Sequence, residues 1–201
     1  MGLMGGTFDP IHYGHLMLAE QVRCRFELDV ICFVPSGDPP HKQDRVTTPK
    51  WLRYEMVKLG IEDNPNFTIS DLEVRQEAPS YTVETVETFK KLAREDCEIY
   101  FITGADQIMA LETWQDFRRL LGEITFVGAS RPGYQDSELV KEIHRLQDHY
   151  SARIEYLEVP ALAISSSDIR GRVNRGESIK YLLPGPVEAF IRRKNLYRAL
   201  D

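Results

Sequence analysis

The sequence predicts an α/β fold with a doubly wound, mostly parallel sheet and helices on both faces. Short continuous apolar runs, such as Val30–Val34 and Ile99–Ile102, have the length and composition of buried parallel strands. Segments of helical length, with apolar residues three or four positions apart, separate these runs. Strands that alternate with helices in this way are typical of parallel sheets covered on both sides.

Six segments have the composition of β-strands. Each is a short run rich in branched or aromatic apolar residues, bounded by Gly, Pro or polar residues. Only Met1 to Met4 precede the glycine pair at positions 5 and 6, so the first strand is expected to be short. The predicted strands are Gly2–Met4, Val30–Val34, Phe67–Leu72, Ile99–Ile102, Ile124–Val127 and residues 154–159.

The helices are predicted from apolar spacing and from residues that start helices. In the second helix, Thr48 is the expected N-cap and Pro49 the first helical residue. Its apolar face is expected to contain Leu52, Met56 and Leu59. The predicted helical segments are Gly14–Phe26, the segment that starts at Thr48, Thr82–Arg94, turns within Asp106–Leu121, Asp136–Tyr150, Ser165–Arg175 and Pro186–Lys194.

Size, charge and cysteine usage narrow the class of protein. We expect a single domain, residues 1–201, on which a C-terminal helical part of about 165–201 packs. The net charge of −6 argues against a general nucleic-acid binder. No apolar run of about 18 residues and no signal peptide are present, so we expect no membrane partner and a cytoplasmic location. The three cysteines, Cys24, Cys32 and Cys97, are expected to be buried structural thiols.

The loop after the first strand, Gly5 to His15, has the composition of a phosphate site. Glycines at positions 5 and 6 let the backbone approach a ligand. Gly14 and His15 stand where the next helix begins, and a helix N-terminus attracts anions. His12 and His15 are three residues apart and are expected to point the same way. A simple turn with surface histidines is the alternative, whereas zinc would need more protein ligands.

A second cluster, Ser165 to Arg170, places three hydroxyls at the start of a predicted helix. One serine could simply cap this helix. Arg170 lies about one turn beyond Ser166 and could reach the same anion. Hydroxyls, backbone N–H groups and a guanidinium together would bind a polyphosphate.

Three further segments are candidates for binding a second substrate. Two of these segments open predicted helices, where capping is the alternative role. One contains Thr82, after Ser80 and Tyr81, and the other contains Asp106, after Gly104. Trp114 could stack on a flat heteroaromatic ring, although a lone Trp is more often a core residue. Lys42 lies in a polar loop, where charged side chains are usually only solvated. These candidate residues are Lys42, Ser80, Tyr81, Thr82, Gly104, Asp106 and Trp114.

The loop Gly-Gly-Thr-Phe-Asp-Pro-Ile-His-Tyr-Gly-His resembles the signature of the nucleotidyltransferase superfamily. In this long form it is similar to bacterial nicotinate mononucleotide adenylyltransferases. The segment Ile-Ser-Ser-Ser-Asp-Ile-Arg resembles the second motif of that family, with Ser167 in place of the usual Thr. Ser-Tyr-Thr, and Gly-Ala-Asp followed by a Trp, are also similar to the family. The resemblance covers roughly Gly2 to Tyr197 and implies a Rossmann-like nucleotidyltransferase fold.

The resemblance also implies an activity, adenylyl transfer from ATP to nicotinate mononucleotide with release of pyrophosphate, in NAD biosynthesis. Mg²⁺ would be held mainly by the ATP phosphates. A homo-oligomer is compatible with the sequence. Nicotinamide mononucleotide or another phosphomonoester, such as pantetheine phosphate, is the alternative acceptor, and a nucleotide sensor without catalysis is a rival from another class.

The family motifs assign roles to individual residues. The expected catalytic residues are His12, His15 and Arg170. The expected ATP-binding residues are Gly6, Thr7, Phe8, His12, His15, Gly104, Asp106, Ser165, Ser166 and Arg170. The expected residues for nicotinate mononucleotide are Lys42, Thr82 and Trp114, and no protein ligand to a metal is predicted. Arg131 lies in a segment that also resembles the family, without a definite role.

Overall fold

The computed structural model is built around one six-stranded parallel sheet. It describes residues 1–37, 47–77, 79–94, 96–130, 136–159 and 163–198. The strand order is β3-β2-β1-β4-β5-β6, so the sheet grows outward in both directions from β1. This order is that of the doubly wound dinucleotide-binding fold. The predicted fold class is therefore confirmed.

All five strand pairs are parallel and in continuous register. Met4 of β1 pairs with Phe33 of β2 on one side and with Ile102 of β4 on the other. The central strand is therefore hydrogen-bonded along both edges. The strands are β1 (Gly2–Gly6), β2 (Ile31–Pro35), β3 (Phe67–Ile69), β4 (Tyr100–Gly104), β5 (Thr125–Ser130) and β6 (Arg153–Glu158).

Helices connect successive strands and cover both faces of the sheet, as a parallel sheet requires. A short 3₁₀ turn, Leu111–Thr113, follows the fifth helix. Within the described ranges, no helix is long and apolar enough to cross a bilayer. The helices are α1 (Tyr13–Arg25), α2 (Lys50–Ile61), α3 (Leu72–Arg75), α4 (Thr82–Leu92), α5 (Ala105–Met109), α6 (Phe117–Glu123), α7 (Asp136–Tyr150), α8 (Ser166–Asn174) and α9 (Gly185–Arg193).

The alternation of side chains along each strand divides the core between the two faces of the sheet. Met4 and Phe33 face the first cluster, which α1, α2, α8 and α9 cover. Leu3 and Val34 face the second cluster, which α4, α5, α6 and α7 cover. Successive residues of a strand point to opposite faces, so a strand buried on both sides must be apolar throughout.

The structure corrects several predicted boundaries. Gly5 and Gly6 belong to β1 and not to the loop, because they continue the ladder with β2. The predicted strand Phe67–Leu72 ends at Ile69, and Leu72 opens α3. Cys24 is exposed, Cys97 is only partly buried and Cys32 is buried, so the expectation of three buried thiols was wrong for Cys24 and Cys97. Burial raises the pKa of the Cys32 thiol to about 12.

The start of α2 also differs from the prediction. Pro49 is the N-cap and the helix begins at Lys50, while the backbone N–H of Thr48 donates to Asp9 Oδ2 (3.2 Å). The buried face of α2 centres on Arg53, Met56, Val57 and Gly60, whereas the predicted Leu52 and Leu59 are only partly buried. The face is rotated because Arg53 finds buried hydrogen-bond acceptors, which the pattern of apolar residues does not reveal.

The C-terminal segment packs against the loop that follows β1. Helix α9 packs on α2 and contributes Val187, Phe190 and Ile191 to the first core cluster. Beyond α9, the Tyr197 hydroxyl donates to the buried Asp9 carboxylate (Oδ1, 2.7 Å). Burial, and then the Asp9 carboxylate, raises the pKa of the Tyr197 phenol above its usual range.

We predict that Tyr197→Phe lowers the free energy of unfolding by about 1.5–3 kcal/mol, because a buried carboxylate loses a donor. A raised phenol pKa contributes stability that is complete below about pH 10 and is lost above it. The difference between wild type and Tyr197→Phe should therefore narrow as the pH rises beyond about 10. Urea unfolding at several pH values measures this. A constant difference up to pH 11 would contradict the assignment.

Candidate active site

A cavity of about 930 Å³ opens at the carboxyl edge of the sheet. Its floor is formed where β1 and β4 end, at Gly5, Gly6 and Gly104. This is the point where the strand order reverses, and the crevice at such a point is where open α/β sheets bind ligands. The start of α1, the start of α8 and the segment before α4 form the walls.

The two histidines of the first motif lie together on the wall of this cavity. The His12 and His15 rings stack at a centroid distance of 3.7 Å and an interplanar angle of 23°. His12 is the N-cap of α1, and its backbone N–H donates to Nδ1 of His15 (3.3 Å). Because Nδ1 of His15 accepts this bond, the proton of the neutral ring lies on Nε2, which is then a donor. The expected common orientation of the two rings is confirmed.

Glycines make room for these rings. A Cβ on Gly14 would lie 3.0 Å from His12 Nδ1, and a Cβ on Gly6 would lie 2.8 Å from the Phe8 ring. Phe8 itself has a φ of 49°, which is uncommon for a bulky residue. Its buried ring packs edge-on against His15 at 5.1 Å, and this packing holds the unusual backbone conformation.

The second motif joins the first loop directly. Ser165 caps α8 by accepting from the backbone N–H of Asp168 (3.1 Å), which is the structural role left open by the sequence. The Ser166 hydroxyl donates to the Pro10 carbonyl (2.9 Å). Arg170 donates through Nη1 to the Asp9 carbonyl (2.7 Å) and through Nη2 to Ser167 Oγ (3.3 Å).

Only part of the second motif is on the cavity wall. Ser165, Ser166 and Ser167 line the cavity, and the Arg170 guanidinium is adjacent through Ser167. A guanidinium has five N–H groups, so the two bonds within the protein leave capacity for a phosphate.

The segment that starts α4 also lines the cavity. Ser80, Tyr81 and Thr82 line the cavity together with Glu73. Tyr81 is the N-cap and makes no side-chain cap, while the Ser80 hydroxyl donates to Gln76 Oε1 (2.7 Å). The capping role considered for this segment is therefore not what its hydroxyls do, and Thr82 occupies the first helical position at the cavity.

Asp106 and Trp114 line the cavity beyond β4. The Asp106 carboxylate is exposed in the first turn of α5 and makes no side-chain cap. Trp114 packs edge-on against Phe101 at 5.8 Å and Phe126 at 6.1 Å, and is only partly buried. Trp114 therefore packs on the core and also lines the cavity, while its stacking on a flat ring stays a prediction.

Two residues singled out from the sequence, Lys42 and Arg131, lie outside the described residues. Among the described residues that line the cavity, the carboxylates are those of Glu73 and Asp106. Burial raises the pKa of the Glu73 carboxyl. Across the described part of the chain, no three His, Cys, Asp or Glu side chains lie close enough to hold a metal ion.

Sequence comparison adds a family assignment to this geometry. The cytidylyltransferase-like family model matches residues 3–172. A protein of Thermoanaerobacter sp. (strain X514), named "probable nicotinate-nucleotide adenylyltransferase", is 47% identical over 98% of this chain and 94% of its own. A protein of Moorella thermoacetica with the same name is 50% identical over 98% of this chain and 91% of its own. The chain belongs to the nicotinate-nucleotide adenylyltransferase family.

Solved structures support the fold of this adenylyltransferase family member. Plasmodium falciparum nicotinic acid mononucleotide adenylyltransferase complexed with NaAD superposes with a TM-score of 0.78 at 23% identity, covering 98% of this chain and 96% of that one. The same enzyme complexed with APC superposes with a TM-score of 0.76 at 22% identity over the same shares. At this identity, the agreement concerns the fold.

Sequence reasoning missed the residues that support the site from within. Arg53, only 1% exposed, donates to the carbonyls of Thr7 (2.8 Å), Gly37 (2.7 Å) and Thr48 (2.9 Å). The sequence gives one sign of its burial, which is the position of Arg53 three and four residues before the apolar Met56 and Val57, on the same face of the helix. Glu73 was missed because the short helix α3, which contains it, was not predicted.

We predict that Gly37→Ala lowers the free energy of unfolding by about 1–3 kcal/mol, as expected for overpacking. Its Cβ would lie 2.4 Å from the Glu73 carbonyl oxygen, and backbone atoms cannot turn aside as a side chain can. The matched control is Gly122→Ala in α6, where a Cβ meets nothing within 4 Å. Urea unfolding should leave the control unchanged or slightly more stable. Equal midpoints for both variants would show that Gly37 is not closely packed.

Proposed function

We propose that this enzyme transfers AMP from ATP to nicotinate mononucleotide, with nicotinate adenine dinucleotide and pyrophosphate as products. The observation that carries the proposal is the stacked His12–His15 pair at the start of α1, on the wall of the cavity. The full-length identity to relatives named as nicotinate-nucleotide adenylyltransferases supports it.

The acceptor phosphate is the nucleophile in this reaction. It is already largely anionic at neutral pH, since the second pKa of a phosphate monoester is about 6, so no general base is required. The acceptor oxygen attacks the α-phosphorus of ATP, a new P–O bond forms and the bond to pyrophosphate breaks. The protein therefore contributes alignment of the two substrates and stabilisation of negative charge.

The histidines and α8 would bind the ATP phosphates. Nε2–H of His15 and the His12 ring face the charge that develops at phosphorus, and they are fixed before substrate arrives by stacking and by the hydrogen bond between them. The N-terminus of α8, with Ser166, and the remaining N–H groups of Arg170 would hold the leaving pyrophosphate. The rest of the nucleotide would contact Gly6, Thr7 and Phe8. The Asp106 carboxylate would accept hydrogen bonds from the ribose hydroxyls.

Mg²⁺ suits this site as an ion carried by the substrate. The described residues offer no cluster of metal ligands, and Mg²⁺ commonly keeps waters and binds phosphate oxygens. When bound, the ion would neutralise charge on the leaving pyrophosphate.

The acceptor would occupy the opposite side of the cavity. The first backbone N–H groups of α4, at Thr82 and Val83, lie at the positive end of the helix and suit the nicotinate carboxylate. Trp114 packs edge-on against Phe101 and lines the cavity, and there it would stack on the pyridine ring. Lys42 remains a predicted partner of the acceptor phosphate, and the cytoplasmic location and oligomeric state remain predictions.

In the presence of Mg²⁺, we expect pyrophosphate to be released from ATP much faster with nicotinate mononucleotide than with nicotinamide mononucleotide. The reason is that only the nicotinate form carries the carboxylate that a helix N-terminus attracts. A coupled assay of pyrophosphate with the acceptors in parallel, pantetheine phosphate included, measures this. Equal rates with the two pyridine nucleotides would overturn the proposed preference. Release with pantetheine phosphate alone would move the chain to another acceptor class.

We predict that His15→Ala lowers kcat about 10²–10³-fold, the typical loss for one donor to a developing negative charge. Exposed His144 on α7 provides the matched control, and His144→Ala should keep wild-type kcat. Steady-state kinetics measures both, with circular dichroism to confirm that the variants fold. Wild-type kcat in His15→Ala would remove this residue from the proposed mechanism.

A further inference from the structure

The buried cation Arg53 connects the two sides of the cavity. Its guanidinium, on α2, donates to the Thr7 carbonyl in the loop after β1. It also donates to the Gly37 carbonyl in the segment after β2. One rigid, planar group therefore fixes the spacing between these two segments.

Gly37 passes the connection onward. Its carbonyl accepts from Arg53, and its Cα packs against the Glu73 backbone. The two backbones lie so close that only glycine fits at this position. Gly37 therefore contacts Arg53 through a hydrogen bond and Glu73 through close backbone packing.

Glu73 completes the connection to α4. Its Oε1 accepts from the hydroxyl of Thr85 at 2.7 Å. Thr85 is 1% exposed and lies one turn after Thr82, within the first turns of α4. Glu73 itself lines the cavity beside Ser80 and Thr82.

We propose that Arg53, Gly37, Glu73 and Thr85 form a positioning relay. The relay holds the start of α4, where the acceptor binds, at a fixed distance from the loop that binds the ATP phosphates. Among the described residues that line the cavity, the relay is represented by Gly37 and Glu73. Arg53 and Thr85 do not line it, so they act through their neighbours. The relay rests on the proposed function for its effect on catalysis, because in-line transfer depends on the distance between the two substrates.

The energetics of Glu73 agree with this role. Burial raises the pKa of the Glu73 carboxyl, while the bonds from Thr85 and Gly37 and the charge of Arg53 oppose that rise. A raised carboxyl pKa means that ionisation of Glu73 lowers the stability of the fold at neutral pH.

The test uses three threonine variants, with kinetics measured separately for each substrate. Thr85→Val removes the hydroxyl at nearly constant volume, Thr85→Ser restores it, and Thr88→Val, one turn further along α4, is the matched control. A hydrogen bond to a charged group changes an equilibrium about tenfold or more. We expect Thr85→Val to raise KM for nicotinate mononucleotide about tenfold and to leave KM for ATP within about twofold. The KM for nicotinate mononucleotide should be close to the wild-type value in Thr85→Ser and equal to it in Thr88→Val.

A double variant tests whether the members act together. Arg53→Lys and Thr85→Val lie on different helices, so independent effects on the acceptor KM would multiply. In a relay, Thr85→Val adds little once Arg53→Lys has loosened Gly37. An unchanged acceptor KM in Thr85→Val, no recovery in Thr85→Ser, or multiplying effects in the double variant would overturn the relay.

Amide hydrogen exchange distinguishes failure of the relay from failure of the proposed function. If the wild type releases no pyrophosphate with nicotinate mononucleotide, the proposed acceptor is wrong, but the relay still predicts a change in amide exchange at residues 84–86, the first hydrogen-bonded amides of α4. Those amides should exchange about tenfold faster in Thr85→Val than in Thr88→Val, since the bond to Glu73 is lost. Equal exchange in the two variants would overturn the relay whatever the acceptor.

Discussion

The parallel pairing of all six strands is the constraint on which the rest of the structure depends. Parallel strands end at one edge of the sheet, so the segments after β1 and β4, which carry His12, His15 and Asp106, begin there. Chain order runs outward from β1 in both directions, and the connections on the two sides leave opposite faces. The crevice between them opens at Gly6 and Gly104, where β1 and β4 end.

Loops at such an edge have backbone groups that the sheet no longer satisfies, and buried side chains supply the missing partners. Arg53 donates to three backbone carbonyls, the Tyr197 hydroxyl donates to the Asp9 carboxylate, and the Ser166 hydroxyl donates to the Pro10 carbonyl. These bonds come from elements far apart in the chain, so the loop after β1 is fixed from several directions. Dipoles that are fixed before the reaction stabilise developing charge without first having to reorganise.

An acidic chain that binds anionic substrates depends on local rather than net charge. The net charge is −6, and the described cavity wall carries the carboxylates of Glu73 and Asp106. The helix starts at His12, Ser165 and Tyr81 present oriented N–H groups toward the same space. Such fixed partial charges act at short range, where they outweigh the distant surface charge that solvent and salt screen.

The sequence by itself determined the class of fold, the succession of strands and helices, and the motif residues at 5–15 and 165–170. These signals are local, because apolar period and glycine content act within one element. It did not predict the start of α2 or the end of β3, since Thr48 bonds to Asp9 and Leu72 opens a short helix. Only the tertiary structure decided the strand order, the burial of Arg53 and the partial burial of Glu73 and Tyr197. A charged side chain is buried only where distant backbone groups and charges converge on it, and no local pattern encodes that convergence.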